Sequence, residues 1–199
     1  MLLDDILGVF ASVRCISCRA RGPMLCGTCA PPIAPDPTDL KLAGVTRCGA
    51  PWRYEGHARD LVLALKLRGR RAAAEPLAAA IVGWLPDPPA VVTWVPGRRA
   101  DIRRRGFDHA EAIARAVAAH YQVGARALLR RISAAPDQTT LSRAQRLSNL
   151  GHVFAAAGSP LEVLLVDDLV TTGATLNACA TALKRAGARR ITAVAACRA

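Results

Sequence analysis

This sequence has no apolar run long enough to cross a membrane. None of its segments reaches the roughly 18 uncharged apolar residues that a transmembrane helix requires, which excludes such a helix. Residues 1–13 are apolar, but Asp4 and Asp5 stand where a secretory signal carries positive charge. We therefore expect a short amphipathic lead-in helix at the start of a cytoplasmic protein.

The common nucleotide-binding fingerprints are also missing. Neither Gly-x-x-x-x-Gly-Lys-Ser/Thr nor Gly-x-Gly-x-x-Gly occurs, which excludes the two glycine loops that most often bind nucleotides. Aromatic residues make up only 4% of the chain. Because proteins that grip single-stranded nucleic acid stack its bases on such rings, this scarcity argues against tight, stacking-based binding.

Lysine is scarce as well, although the chain is strongly basic. Of the 27 basic residues only three are Lys and the rest are Arg, and the formal net charge is +12. Arginine binds phosphate oxygens through two parallel hydrogen bonds, so a polyanionic partner suits this composition. The alternative is a GC-rich coding bias that leaves most Arg side chains merely solvated. Charge alone leaves contact with nucleic acid open.

The most informative stretch predicts a strand, a loop and a helix in direct succession. Residues 161–166 are apolar except for Glu162 and predict a buried parallel strand, which two acids and a Thr/Gly turn then end. A helix is expected to begin at about Thr175. A loop in this position aims backbone N–H groups and the positive end of the helix dipole at one point, and such a point holds a phosphate.

The composition of this loop favours a phosphate monoester over a carboxylate. Gly173 allows the backbone to approach a ligand closely, and the threonine hydroxyls add hydrogen-bond donors. The residues predicted to bind the phosphate are Thr171, Thr172, Gly173, Ala174 and Thr175.

Two adjacent acids, Asp167 and Asp168, directly precede the phosphate loop. Carboxylates at this point suit a ribose diol or a hydrated magnesium ion. The alternative is an ordinary strand that ends in a polar turn with threonine caps.

Four cysteines near the start of the chain have the spacing of a metal site. They form two Cys-x-x-Cys pairs separated by seven residues, namely Cys15, Cys18, Cys26 and Cys29. Two such pairs supply four thiolates to a tetrahedral zinc ion, which leaves no position for water and predicts a structural site. A disulfide is disfavoured in an intracellular protein, and a redox pair needs only one Cys-x-x-Cys.

A proline-rich connector at residues 31–37 predicts a domain boundary, because no helix propagates through it. We expect a lead-in helix and zinc finger in residues 1–35 and a second domain in residues 36–199. Beyond the connector, strand patterns alternate with helix patterns. This order predicts an α/β fold with a doubly wound, mostly parallel sheet whose site lies at the carboxyl ends of the strands.

Basic residues concentrate in two places in the second domain. Lys66 and three arginines crowd the end of a helix predicted over residues 58–67, where cations favour the helix dipole without any further role. Five arginines follow a strand predicted over residues 91–95: Arg98, Arg99, Arg103, Arg104 and Arg105. They suit a pyrophosphate or a nucleic-acid backbone, and the alternative is a solvated loop.

A long polar connector at residues 130–149 predicts a lid or a binding loop, with a simple surface excursion as the alternative. Its candidate ligand-binding residues are Gln138, Arg143 and Arg146. The four histidines have no evident partner in sequence, and we interpret them as structural.

The stretch around the two acids closely resembles the phosphoribosyl pyrophosphate (PRPP) motif of type I phosphoribosyltransferases, in which four hydrophobic residues precede two acids and Thr-Thr-Gly-x-Thr. Taken as a whole, the chain resembles the ComF family, which is tied to DNA uptake in competent bacteria. The resemblance rests on the cysteine finger, the PRPP motif, the segment 138–149 ending in Phe154, and the sequences Tyr54-Glu55-Gly56 before Leu65-Lys66 and Pro96 before Arg104-Arg105-Gly106-Phe107. The family typically carries Asn and Gln where this chain has Asp108 and His109.

This resemblance implies roles for the singled-out residues. Asp167 and Asp168 would hold the ribose hydroxyls and residues 171–175 the 5-phosphate, while loop 96–105, with Arg98 and Arg99, would face the pyrophosphate and residues 131–147 would form the lid. Magnesium would accompany PRPP. Arg103 to Arg105, Lys66 and the lid residues are candidates for the lid side or for DNA.

Three functions follow from this resemblance. The first is an enzyme that transfers a phosphoribosyl group from PRPP to an unknown nitrogenous acceptor. The second is an accessory protein that binds single-stranded DNA, with a competence helicase-like protein as a further partner. The third is a PRPP-sensing scaffold without catalysis.

Overall fold

The computed structural model describes residues 13–33, 40–132 and 153–199. Several predictions on the remaining residues lie outside this part of the chain. They concern the lead-in helix, Pro35 and Pro37 of the connector, and the lid candidates Gln138, Arg143 and Arg146.

Eight strands occur in the described residues: β1 (Arg47–Gly49), β2 (Trp52–Arg53), β3 (Val91–Trp94), β4 (Gly124–Ala125), β5 (Leu129–Arg131), β6 (Phe154–Ala156), β7 (Glu162–Val170) and β8 (Arg190–Arg198). The main sheet has the order β1-β8-β7-β3-β4, with β2 also pairing with β8, and every pairing in it is parallel. Strands β5 and β6 form a separate antiparallel pair. The predicted mostly parallel α/β fold is confirmed.

Five α-helices connect these strands: α1 (Gly56–Arg68), α2 (Ala74–Trp84), α3 (Arg99–Arg105), α4 (His109–Tyr121) and α5 (Ala174–Arg185). A 3₁₀ turn, Arg71–Ala73, leads into α2. None of the helices in the described segments is long and apolar enough to cross a bilayer.

Helices cover both faces of the sheet, and β7 contributes to two separate cores. Leu164 and Val166 pack with α1, α2 and α4 on one face. Leu165 packs with α5 and with the β5–β6 pair on the other face. Consecutive strand residues point to opposite faces, so a strand covered on both sides is apolar at successive positions. This is why residues 163–166 read as an unbroken apolar run.

The observed β7 is longer than predicted. The sequence indicated that the two acids end this strand, but parallel pairing with β8 continues through Asp167 opposite Ala195 to Val170 opposite Arg198. Backbone pairing to a long neighbour therefore outweighs the poor strand propensity of two aspartates. The acids lie inside the strand and not in the loop that follows it.

The predicted loop 96–105 also differs from the structure, because residues 99–105 form α3. Arginine is a good helix former, and Asp101 lies 3.2 Å from Arg104 and 4.0 Å from Arg105, one turn further along. Gly106, with φ of 78°, ends the helix in the left-handed conformation. The dense run of arginines concealed this helical spacing.

Candidate functional site

The carboxyl ends of β3 and β7 form a topological switch point. These two strands are neighbours, with Trp94 opposite Val166. The chain leaving β3 returns to the sheet at β4 on one side, whereas the chain leaving β7 returns at β8 on the other side. The two connections diverge and leave a crevice between them, which is where ligands bind in open α/β sheets.

The predicted phosphate loop lies at this crevice, between the end of β7 and the start of α5. Gly173 is the residue before the helix and has φ of 76°, a conformation that favours glycine. The backbone N–H of Ala174 donates to Oγ1 of Thr172 at 3.4 Å. Thr171 and Thr172 are exposed, while Thr175 lies in the first turn of α5 and is partly exposed. The loop thus presents hydroxyls and a helix N-terminus together.

The two acids face opposite sides of the sheet. Asp168 has the same facing as Leu164 and Val166, toward α1 and α4, and only 2% of its surface is exposed. Asp167 has the facing of Leu165, toward α5 and the β5–β6 pair, and is partly exposed. The backbone N–H of Asp168 donates to Oδ1 of Asp167 at 2.8 Å. The adjacent carboxylates therefore have different surroundings.

Asp168 lies between two nitrogen donors from the helices above it. Nζ of Lys66, in the last turn of α1, is 2.9 Å from Oδ1, and Nε2 of His109, the first residue of α4, is 2.7 Å from Oδ2. Burial by itself raises the pKa of Asp168, but hydrogen bonding and charge from His109, and then from Lys66, outweigh it and lower the pKa below its usual value. Asp168 is therefore an ionised carboxylate.

Asp167 is shifted in the opposite direction. Burial, and then the charge of Asp168, raise the pKa of Asp167 well above its usual value. The guanidinium of Arg131, on β5, lies on the same side of the sheet and stacks over Phe154 at 4.7 Å from the ring centre. Burial, and then the charge of Arg98, lower the pKa of Arg131, while Asp167 acts against this shift. Nε of Arg131 is buried without a hydrogen-bond partner among the described residues.

The structure divides the five clustered arginines among different surroundings. Arg98 and Arg99 lie at the amino end of α3, next to the turn that leaves β3, and both are exposed. Arg103 is also exposed. Arg104 and Arg105 line an open cavity of about 290 Å³ together with Lys66, Leu67 and Gly69. Three cations therefore surround a cavity adjacent to Asp168.

Asp108 fixes the start of α4 against the turn after β3. Its Oδ1 accepts the backbone N–H of Ala110 at 3.1 Å, which caps the helix. Its Oδ2 accepts the backbone N–H of Gly97 at 2.8 Å. Asp108 is buried, so these two bonds join the end of β3 to the amino end of α4.

His109 is a residue at the crevice that the sequence interpretation missed. The histidines were interpreted as structural because none has an evident partner along the chain, yet the His109 ring contacts Asp168. A signal was present, since Asp108 and His109 depart from the Asn-Gln pair that the resembled family carries. This difference singled out positions 108 and 109, and the fold shows what each of the two residues contacts.

The four cysteines near the start of the chain converge as predicted. Their Sγ atoms all lie within 4.8 Å of one another, and those of Cys18 and Cys26 are 3.7 Å apart. With Zn–S bonds of about 2.3 Å, sulfurs at the corners of a tetrahedron lie about 3.8 Å apart, so the cluster fits zinc. A backbone hydrogen bond from Cys26 lowers the pKa of the Cys15 thiol to about 6 in spite of its burial. In contrast, a backbone hydrogen bond from Ala20 acts to lower the pKa of Cys18, but the neighbouring cysteine side chains outweigh it and raise that pKa to about 11.

The cysteine cluster packs directly against the sheet domain. Met24 and Leu25, between the two cysteine pairs, are buried in the core that contains Trp52 and Leu61. The indole N–H of Trp52 donates to the backbone carbonyl of Pro31 at 3.1 Å. A metal ion in this cluster would therefore also order the surface that covers α1 and β2.

Comparison with known proteins shows a similarity over the carboxyl-terminal part of the chain. Residues 102–199 match the family described as phosphoribosyl transferase domain. The solved structure of glutamine phosphoribosylpyrophosphate (PRPP) amidotransferase from B. subtilis, complexed with ADP and GMP, is similar at 20% sequence identity and a TM-score of 0.45. The similarity covers 62% of this chain and 26% of that chain. A comparison with curated proteins found no significant match.

The matched segment begins within α3 and includes α4, β7, the phosphate loop and α5. It therefore contains both acids, His109 and Arg131, whereas Lys66 and the cysteine cluster precede it. From its sheet, its flanking helices and this match, the chain is a protein with the type I phosphoribosyltransferase-like fold, with a four-cysteine cluster at its amino-terminal side.

Proposed function

We propose that this chain is a ComF-type protein that binds PRPP and transfers its phosphoribosyl group to a nitrogenous acceptor. The observation that carries the proposal is the switch point, where a phosphate loop, two carboxylates and a set of cations meet at the ends of β3 and β7. A phosphate, a diol and a pyrophosphate are the three polar parts of PRPP. Each has a chemically matched group at this crevice.

In the proposed reaction the acceptor nitrogen forms a bond to the anomeric carbon while the bond from that carbon to the pyrophosphate oxygen breaks. The loop 171–175 holds the 5-phosphate, the side chains of Asp167 and Asp168 hold the ribose, and the ionised Asp168 stabilises positive charge that develops on the ribose ring. Arg98 and Arg99 face the departing pyrophosphate. Carboxylate oxygens are ligands that hydrated magnesium prefers, so magnesium fits here and supplies charge neutralisation for the leaving group.

Calorimetric titration of PRPP with magnesium tests this proposal. We expect saturable binding to the wild type and its loss in Asp167→Asn/Asp168→Asn. Glu162→Gln is the matched control, because Glu162 lies at the opposite end of β7, where it is half-exposed and pairs with Arg190 at 3.1 Å. Absence of binding to the folded wild type, or binding that the double variant retains, would refute the proposal. Pyrophosphate release in the presence of candidate bases then identifies the acceptor.

A second candidate function is binding of single-stranded DNA, with a competence helicase-like protein as its partner. The observation that favours it is the cationic surface around the cavity, where Lys66, Arg104 and Arg105 are flanked by the exposed Arg103. Oligonucleotide affinity would then fall steeply with salt, and changing Arg103, Arg104 and Arg105 to Gln would remove most of it. Affinity that the triple variant keeps, or that salt does not affect, would exclude this function.

We further propose that the cysteine cluster is a structural zinc finger, that the finger and the sheet domain meet near residue 35, and that the protein works in the cytoplasm. The support is the tetrahedral fit of four thiolates, which leaves no position for a water nucleophile. Reduced thiols are typical of the cytoplasm.

A further inference from the structure

Three side chains form a line of contacts from the cationic cavity to the buried acid. Nη1 of Arg105 lies 3.4 Å from Nδ1 of His109, and Nε2 of the same ring lies 2.7 Å from Oδ2 of Asp168. Arg105 also borders the cavity that Lys66 lines. The imidazole therefore stands between a guanidinium and a carboxylate, with one ring nitrogen directed at each.

Both neighbours restrain the ring. The guanidinium of Arg105 lies against Nδ1 and the carboxylate of Asp168 lies against Nε2, so the imidazole cannot turn without losing one of these contacts.

The backbone that carries the His109 ring is also fixed in position. His109 is the first residue of α4, and the preceding Asp108 joins this point of the helix to Gly97 in the turn after β3. The ring is largely buried, and its side chain has only two rotatable bonds. By contrast, Lys66 reaches Asp168 with a long flexible stem. Of the two donors, His109 is the one whose position the fold determines.

The Oδ2 atom of Asp168 has unused hydrogen-bonding capacity in spite of the nearby His109 ring. Although Nε2 is 2.7 Å away, Oδ2 has no well-directed hydrogen bond among the described residues, so the N–H approaches this oxygen off its axis. A buried acceptor in this condition gains from a further donor, such as a ribose hydroxyl.

From these contacts we propose that His109 is a positioning residue, whose ring lies between Arg105 and Asp168 and fixes the Asp168 carboxylate for the ribose diol. This inference rests on the proposed function, since it concerns the same ribose site. It adds a role for a side chain that does not itself touch the substrate.

Nitrogen-15 NMR of the imidazole rings tests the line of contacts on the folded, unliganded chain. We expect Asp168→Asn and Arg105→Met each to shift the ring-nitrogen signals of His109, while the signals of His120 stay unchanged. A His109 spectrum that neither variant changes would overturn the proposal. This readout does not depend on whether the chain binds PRPP.

Calorimetric titration of PRPP with magnesium into three variants tests the positioning role. His109→Leu removes the polar contact with Asp168, and we expect affinity to fall by about tenfold, the order of a lost polar contact to a charged group. His109→Gln restores an N–H of similar reach and should bind within about threefold of the wild type. His120→Leu is the control, because His120 pairs with Glu75 at the far end of α4.

The outcomes separate the two proposals. If the wild type binds PRPP and His109→Leu binds equally well, the positioning role is wrong while the proposed function stands. If His109→Gln binds as poorly as His109→Leu, donation to Asp168 is not what the ring supplies, and the positioning role is also wrong. If the folded wild type does not bind PRPP, the proposed function fails, and the nitrogen-15 spectrum decides whether the line of contacts exists.

Discussion

Replacing Gly173 by alanine should destabilise the fold through two effects that can be separated. The first is conformational, because φ at this residue is 76° and alanine is strained there. The second is steric, because a Cβ added to Gly173 would lie 2.8 Å from Cδ2 of Leu42. A contact this short forces the Leu42 side chain to move.

The expected magnitude follows from these two effects. Left-handed backbone costs alanine about 1–2 kcal/mol, and the stiffer unfolded chain of the variant offsets roughly 0.4–1 kcal/mol of this. Overpacking typically adds about 1–3 kcal/mol, and the low end applies because the end of the Leu42 side chain is free to turn. We therefore expect the free energy of unfolding to fall by about 2 kcal/mol, which lowers Tm by roughly 4–8 °C for a chain of this size.

A matched glycine isolates the conformational effect. Gly106 has φ of 78°, and a Cβ added there meets no atom within 4 Å, so Gly106→Ala should cost only the strain, about 1 kcal/mol or less. Chemical denaturation of Gly173→Ala, Leu42→Ala and the double variant then gives the coupling between the two sites. We expect the double variant to be about 1 kcal/mol more stable than the sum of the single changes predicts.

Equal losses for Gly173→Ala and Gly106→Ala, with no coupling to Leu42, would refute the steric part of this reasoning. A Gly173→Ala variant as stable as the wild type would refute all of it. In that case the loop would not need the left-handed conformation that directs its N–H groups into the crevice.

Three further predictions concern the charged and metal-binding groups. Lys66→Met leaves the buried Asp168 with one partner. It should reduce the free energy of unfolding by about 1–3 kcal/mol near neutral pH, as measured by urea denaturation. Because the folded-state pKa of Asp168 is lowered, this difference should disappear as the pH falls below the usual Asp pKa of about 4. Asp108→Ala removes a helix cap and the bond to Gly97, and should cost about 1–2 kcal/mol. Cys18→Ser, or a strong chelator, should remove bound zinc as measured by elemental analysis and should lower Tm.

Each of these changes has a control of the same chemical type. Lys184→Met removes an exposed lysine far from the acids and should show no comparable dependence on acid pH. Asp101→Ala breaks ion pairs with Arg side chains at the surface and should change stability by less than about 1 kcal/mol. Cys197→Ser changes a buried core thiol and should leave zinc content unaffected. Controls that behave like their partners would contradict the assigned contacts.

Several features of the fold followed from local sequence patterns. The apolar run before the acids, the glycine and threonines after it, and the amphipathic segments predicted a parallel α/β sheet with a phosphate loop. The strand-loop-helix unit has all its determinants within about fifteen residues. Each determinant acts on its nearest neighbours in the chain, so the prediction needed no knowledge of the rest of the fold.

The bounds and pairing of other elements could not be predicted from local sequence patterns. The strand β7 continues through two aspartates because β8 pairs with it, and that pairing involves residues far along the chain. The antiparallel pair β5–β6 joins segments on either side of residues 133–152, and neither segment has a strong strand pattern by itself. Such features depend on contacts between distant segments, which local propensity does not report.

By itself, the sequence determined the metal-binding spacing of the cysteines, the strand-loop-helix unit at residues 161–185 and the α/β class, because each depends on residue type and short-range periodicity. Only the tertiary structure decided that Asp167 and Asp168 face opposite sides of the sheet and that Lys66 and His109 meet at Asp168. The physical reason is that these contacts arise where α1, α4 and β7 converge on one point. Because these residues are far apart in the chain, their contacts produce no periodic pattern in the sequence. The burial that makes Asp168 depend on its partners exists only after the helices pack on the sheet.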